Sequence, residues 1–164
     1  MTKKSLSNFA KYNLWANTRI VSVLRDTDTG LLEKEIVSSF PSIRKTLLHI
    51  CDGQLVWLNR LNGISPPSFP SESFTGNMEA VFERLLESSK ALDVFIAHQP
   101  ASYFKQKLEY KTFAFGEATS VASDMIHHCL NHSTFHRGQL VTMGRQIGIT
   151  KFQPMDYIHF IRSN

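Results

Sequence analysis

Residues 130–140, LNHSTFHRGQL, set His132 and His136 four apart, with Arg137, Gly138 and Gln139 directly behind. On an α-helix, residues i and i+4 stack on one face. Two imidazoles held that way grip a transition metal from a single element. His128 precedes them by the same step, so the chain reads H-x-x-x-H-x-x-x-H-R. Each four-residue step turns roughly 40° around the helix. With His136 as the centre of a face, Met125, Cys129, His132, Leu140 and Met143 fall within roughly 40° of it. His132 and His136 therefore point where an apolar core belongs. His128 lies at the edge of that stripe, roughly 80° away, and His127 points to the far side. Inward histidines are either core side chains satisfied by hydrogen bonds or ligands, and a metal site needs a third donor from elsewhere.

Taken in order, the chain offers three more helices. From Ser5 to Leu24, residues Phe9, Tyr12, Asn13, Ala16, Ile20 and Val23 share a face. Asn13 is a polar intrusion that either braces a neighbouring element or reaches towards the site. Asp26 to Gly30 reads as a turn, with Gly30 reversing the chain. Ser42 is a good N-cap for a second helix, Ile43 to about Leu61, whose buried face includes Ile50, Trp57 and the polar Gln54. His49 lies at the edge of that face, one turn before Gly53. Glycine inside a helix costs about 1 kcal/mol against alanine. Either something needs the space beside His49, or Gly53 permits close helix packing. Gly63 ends this helix, and Ile64 to Thr75, with three prolines, is a surface loop. Met78 to about His98 is a third helix, capped by Asn77 or Thr75, and His98 suits the dipole at its end. Tyr103 to Phe115 is rich in strand formers and reads as a short extended segment or hairpin closed by Gly116. The fourth helix, about Glu117 to Gln146, carries the histidines and has Gly138 inside it. A tail with Pro154, Asp156, Tyr157 and Phe160 packs across the helices. The expected class is all-α, one domain over residues 1–164, with a single extended excursion.

Composition narrows the function. The formal net charge is +4 over 164 residues, with lysines and arginines scattered and no basic run longer than a pair. Nothing favours nucleic acid. No stretch has signal-peptide or membrane-span character, so a cytoplasmic protein without membrane partners is expected. Cys51 and Cys129 form no disulfide framework. There is no phosphate-cradling glycine loop, nucleophile elbow or paired Glu-x-x-His set of a di-iron bundle.

Three separated pieces coincide: YNLWAN at 12–17, SIRKTLLHICDGQLVWLNRLNG at 42–63 and HHCLNHSTFHRGQL at 127–140. Together they resemble the DinB family of the DinB/YfiT-like metalloenzymes, over nearly the whole chain. The resemblance implies an up-down-down-up four-helix bundle, a homodimer, and a metal held by three histidines, one from the second helix and two from the fourth. Carried over, these are His49, His132 and His136. His49 is the only histidine in the first half of the chain. Three imidazoles leave a tetrahedral ion one open position, the arrangement of a catalytic site. Zinc or nickel suits such ligands. Cys129, seven residues before His136, is either core or a thiolate closing that position.

The resemblance also implies chemistry, since characterised relatives include metal-dependent transferases and isomerases that use a low-molecular-weight thiol. The leading expectation is metal-activated transfer of a thiol to a small electrophile. The alternatives are a metal-dependent hydrolase and a non-catalytic dimeric stress-response module braced by its metal. Arg137, roughly 100° from His136, should leave the metal face and meet another helix or a partner chain, and Gln139 flanks the ligands. Apolar residues at Val121, Met125 and Leu130 spread beyond one face, which suits a helix buried on two sides.

Overall fold

The computed structural model describes residues 1–163 and is mostly helical, with one small antiparallel hairpin. α1 (Lys3–Arg25) starts where the Thr2 hydroxyl accepts from the Ser5 amide, satisfying one of the free N–H groups of a helix start. The chain does turn at Asp26 and Thr27, but the end of the stretch read as a turn enters a short helix, α2 (Thr29–Glu33). Asp28 caps it by accepting from the Leu31 amide, and buried Leu32 anchors it, so Gly30 sits inside a helix with no positive φ.

α3 (Ile43–Leu61) begins at Ser42, whose Oγ accepts from the Lys45 amide at 3.1 Å. It ends before Gly63, which takes φ +77°, a conformation costly for side chains with a Cβ. The following loop is strapped back onto α3 by Asp52, whose carboxylate accepts from the Ser71 amide at 2.8 Å and its hydroxyl at 2.5 Å. α4 (Met78–His98) is capped by Asn77. His98 is exposed in its last turn, bonded through Nδ1 to the Val94 carbonyl.

The expected start of the last helix needs correction. Glu117 to Val121 belong to a second strand: β1 (Lys107–Thr112) pairs with β2 (Gly116–Val121), Lys107 opposite Val121 and Thr112 opposite Gly116. Gly116, at φ +74°, and the bond from the Phe115 amide to Thr112 Oγ1 close the turn. Past it, Ala118 and Ser120 face Tyr110 and Leu108 of β1, and Thr119 and Val121 between and beyond them are strand formers. α5 (Ala122–Gln146) starts where the ladder stops, its first amide held by the Gln106 carbonyl at 2.9 Å. A short α6 (Tyr157–Ser163) lays Phe160 on Tyr12 and Trp15 of α1.

α1 and α3 each pack against both α4 and α5. The breadth of apolar surface on α5 is thereby used within the chain: Met125 and Leu130 are buried, and Val121 ends β2. Two large apolar clusters result, beside a smaller one of Tyr12, Ala16 and Phe160. One gathers Ile50, Leu47 and Leu140 with residues of α1 and α4; the other gathers Leu61, Leu130 and Ile126 with Leu92 and Leu6. Each such buried side chain contributes about 1.5–3 kcal/mol. Along both α3 and α5, buried polar residues lie between these clusters: Gln54 on one helix, Ser133, His136 and Arg137 on the other. No helix among the described residues is long and apolar enough to cross a membrane.

Candidate metal centre

His49, from the second turn of α3, meets His132 and His136 of α5. The Nε2 atoms of His49 and His132 are 2.9 Å apart, and those of His132 and His136 are 3.1 Å apart. One ring nitrogen from each of the three lies within 4.8 Å of the others. His127 and His128 are exposed, His128 packing its ring edge-on against Trp57 at 5.0 Å. The rotation around α5 thus separates the inward pair from its neighbours as expected.

The donor set suits a metal cation. His136 Nδ1 lies 2.7 Å from Gln139 Oε1, an acceptor, so the ring proton sits there and Nε2 keeps its lone pair. A single proton on His132 Nε2 cannot serve both neighbouring nitrogens in good geometry, whereas a central cation takes all three lone pairs. A tetrahedral ion with metal–nitrogen distances of about 2.0–2.1 Å spaces its ligand nitrogens about 3.3 Å apart, a few tenths of an ångström wider than the contacts here. Burial also keeps the rings neutral, as ligands must be. Burial, then the charge of His136, pushes His49 down to about 4. Burial followed by His136, His49 and His128 pushes His132 down to about 3. His136 is lowered by burial too, against the opposing bond to Gln139.

The family model for the DinB family matches residues 1–164. The chain belongs to the DinB family. It is 29% identical to Protein DinB of Bacillus subtilis (strain 168) over an alignment of 164 residues that covers 93% of each chain. It shares its fold with the crystal structure of a DinB-like protein from Bacillus cereus ATCC 10987, at TM-score 0.66 and 16% identity, covering 89% of this chain and 94% of that one.

Within this DinB chain, the surroundings of the histidines explain several oddities of the sequence. A Cβ on Gly53 would stand 2.9 Å from His132 Nδ1 and 3.0 Å from its Cε1. The glycine makes room for the ring of His132 rather than for His49, so both of its expected roles merge into one close helix contact. The same ring leaves His132 Nδ1 buried with no hydrogen-bond partner. Gly138 is different, since a Cβ there would meet nothing within 4 Å. Cys129 is buried, its Sγ 3.8 Å from the Gly53 carbonyl, and burial pushes its thiol up to about 12. It is a core side chain, outside the histidine cluster.

Arg137 leaves the histidine face and crosses to α1, donating to Asn13 Oδ1 at 2.6 Å and Asn17 Oδ1 at 3.0 Å. Asn13 in turn donates to Gln54 Oε1 at 3.0 Å, so it braces α1 against α3 and α5. One residue escaped the sequence reading. Phe40, from the loop before α3, stacks on His49 at 3.9 Å between ring centroids and meets His136 edge-on at 5.6 Å. An aromatic just ahead of Pro41 and the Ser42 cap was the available signal, but nothing local aims its ring.

Proposed function

We propose that the protein is a metalloenzyme that uses His49, His132 and His136 to hold a divalent metal, zinc or nickel, and transfers a small thiol to an electrophilic substrate. The observation that carries this reading is the convergence of three neutral imidazole nitrogens beside hydroxyls and thiols that are not poised to act as nucleophiles. Ser133 and Thr134 spend their hydroxyls on the carbonyls of Cys129 and Leu130. The Cys51 and Cys129 thiols are both pushed up to about 12 by burial, far from thiolate at neutral pH. A nucleophile must therefore come from solution.

A divalent cation at the three rings supplies Lewis acidity that lowers the pKa of a thiol or water from solution towards neutrality. The chain's own part is positional. Gln139 fixes the tautomer of His136, Phe40 covers one side of His49 and His136, and Gly53 lets α5 bring His132 close. In the transfer, the thiol loses its proton to solvent, a sulfur–carbon bond forms, and the bond from that carbon to its leaving group breaks. On the same reading, the four long helices form the family's up-down-down-up bundle and the protein works as a homodimer.

The test is metal-loaded protein incubated with a chlorinated dinitrobenzene and a panel of small thiols. Metal-dependent turnover that disappears in His136→Ala supports the proposal. Hydrolysis of small esters or amides without thiol turnover replaces it with water activation. Metal binding with neither reaction leaves the ion a brace and overturns the catalytic claim.

A further inference from the structure

A sizeable cavity lies away from the histidines. It lies across α5 from them, in the groove between α1 and α5 that the tail 152–157 closes, and measures about 1120 Å³. Small-molecule sites run to roughly 300–1,000 Å³, so the groove is ample. The tail is held there by Tyr12, whose hydroxyl donates to the Met155 carbonyl at 2.8 Å. Phe152 seats its ring against Gly144, where a Cβ would come within 2.4 Å of it.

Arg137 lines this cavity and is 3% exposed. Its partners are all neutral: Asn13, Asn17, Thr134 and the ring of Tyr12, 5.2 Å from the guanidinium carbon. The ion pairs among the described residues, Arg25 with Glu79 and Arg44 with Glu33, leave it out. A buried cation with no counter-charge is costly. Arg60, also buried, resolves the same problem by lying over the faces of Trp57, Tyr110 and Phe113, and it lines none of this cavity. Arg137 opens instead onto a cavity whose other charged side chains are Arg145 and Asp156. The groove thus keeps an excess of positive charge beside an aromatic lining, in which Phe9 and Tyr12 of α1 pack on Tyr157 and Phe152 lies farther along the tail.

We infer that this groove is a second ligand site, separate from the histidine cluster, for a small amphipathic carboxylate: an apolar or aromatic body lying on the rings, its carboxylate turned to Arg137 and Arg145. The inference does not depend on the metal or on the proposed reaction.

Calorimetric titration of metal-free protein with sodium naphthoate tests it. One naphthoate should bind per chain with a Kd tighter than about 1 mM. The uncharged naphthamide should bind at least about tenfold more weakly, the loss of one charge-assisted contact. Arg145 is exposed and carries no part of the core, so Arg145→Glu should fold and lose a similar factor. Gly138→Phe, built where a side chain meets open space, should abolish binding. Absence of naphthoate binding overturns the inference, as do equal affinity for naphthamide and unchanged binding in both variants. A dimer in sedimentation that Gly138→Phe splits, with no naphthoate bound by either form, assigns the groove to a second copy of the chain instead.

Discussion

His136 and Arg137 are consecutive residues of α5, and they serve opposite needs. On the α3 side, His136 joins two other imidazoles that burial holds neutral, so their lone pairs converge. On the α1 side, Arg137 buries a full positive charge among neutral amides and a hydroxyl, with no anion beside it. Both break the apolar pattern of a helix packed on two sides. The difference lies in the sign of the charge each arrangement favours. An apolar stripe interrupted by a polar residue indicates only that a partner is required; the charge state of that residue indicates which kind. Here a single residue step, roughly 100° around the helix, separates a place suited to a cation from a place suited to an anion, and each can be broken without the other.

The largest effect expected is on the histidine side. His132→Ala or His136→Ala should weaken zinc or nickel binding by more than about 100-fold, beyond what losing a ligand's hydrogen-bond partner costs. His127→Ala, altering an exposed ring on the far side, should leave it unchanged. Equilibrium dialysis with metal analysis measures both. Full metal retention in the His49→Ala/His132→Ala double variant removes the assignment altogether.

Arg137→Ala sharpens the contrast from the other side. It strands the buried Oδ1 atoms of Asn13 and Asn17, each worth about 1–3 kcal/mol when left unpaired. Urea denaturation should show a loss of about 2–4 kcal/mol, while metal affinity moves far less. An unchanged unfolding midpoint together with lost metal would invert the comparison. Gln139→Leu is the milder counterpart on the metal side. It removes the acceptor that fixes His136, so metal affinity should fall about 10–100-fold with little change in stability.

The sequence made some of this legible and hid the rest for identifiable reasons. α3 and α4 run over the residues expected, because Ser42 and Asn77 are caps whose chemistry is local and because the apolar spacing is helical throughout. Angles around α5 separated His132 and His136 from His127 and sent Arg137 to another helix, since rotation depends on the helix period alone. Glu117 to Val121 escaped because a strand's stability lies in its partner, and β1 is not visible from β2. Gly30 misled because glycine beside two aspartates resembles a turn, whereas Asp28 was acting as a cap. The reach of Gly53 to His132 and the ring of Phe40 over His49 are contacts between elements distant in sequence, and no periodicity within one element encodes them.

The smallest effect separates the two faces by pH. The three histidines all have folded-state pKa values below the ordinary 6.5, two of them at about 4 and about 3. From pH 6.5 downward the unfolded chain therefore binds protons that the folded chain refuses. Stability of the metal-free protein is fully present above that pH and declines as pH falls towards the folded values. The rings of His49 and His132 are partly exposed, which limits the slope. Arg137 stays charged in both states over this range and adds nothing to it. Thermal melts of chelator-treated protein between pH 7 and about pH 5 should fall, and His132→Leu, which removes the most depressed ring, should flatten the fall. Zinc or nickel should steepen it, because bound ligands must stay unprotonated and acid then also releases the metal. A melting temperature that rises on acidification, or the same slope in His132→Leu, would show that the cluster is not the group titrating.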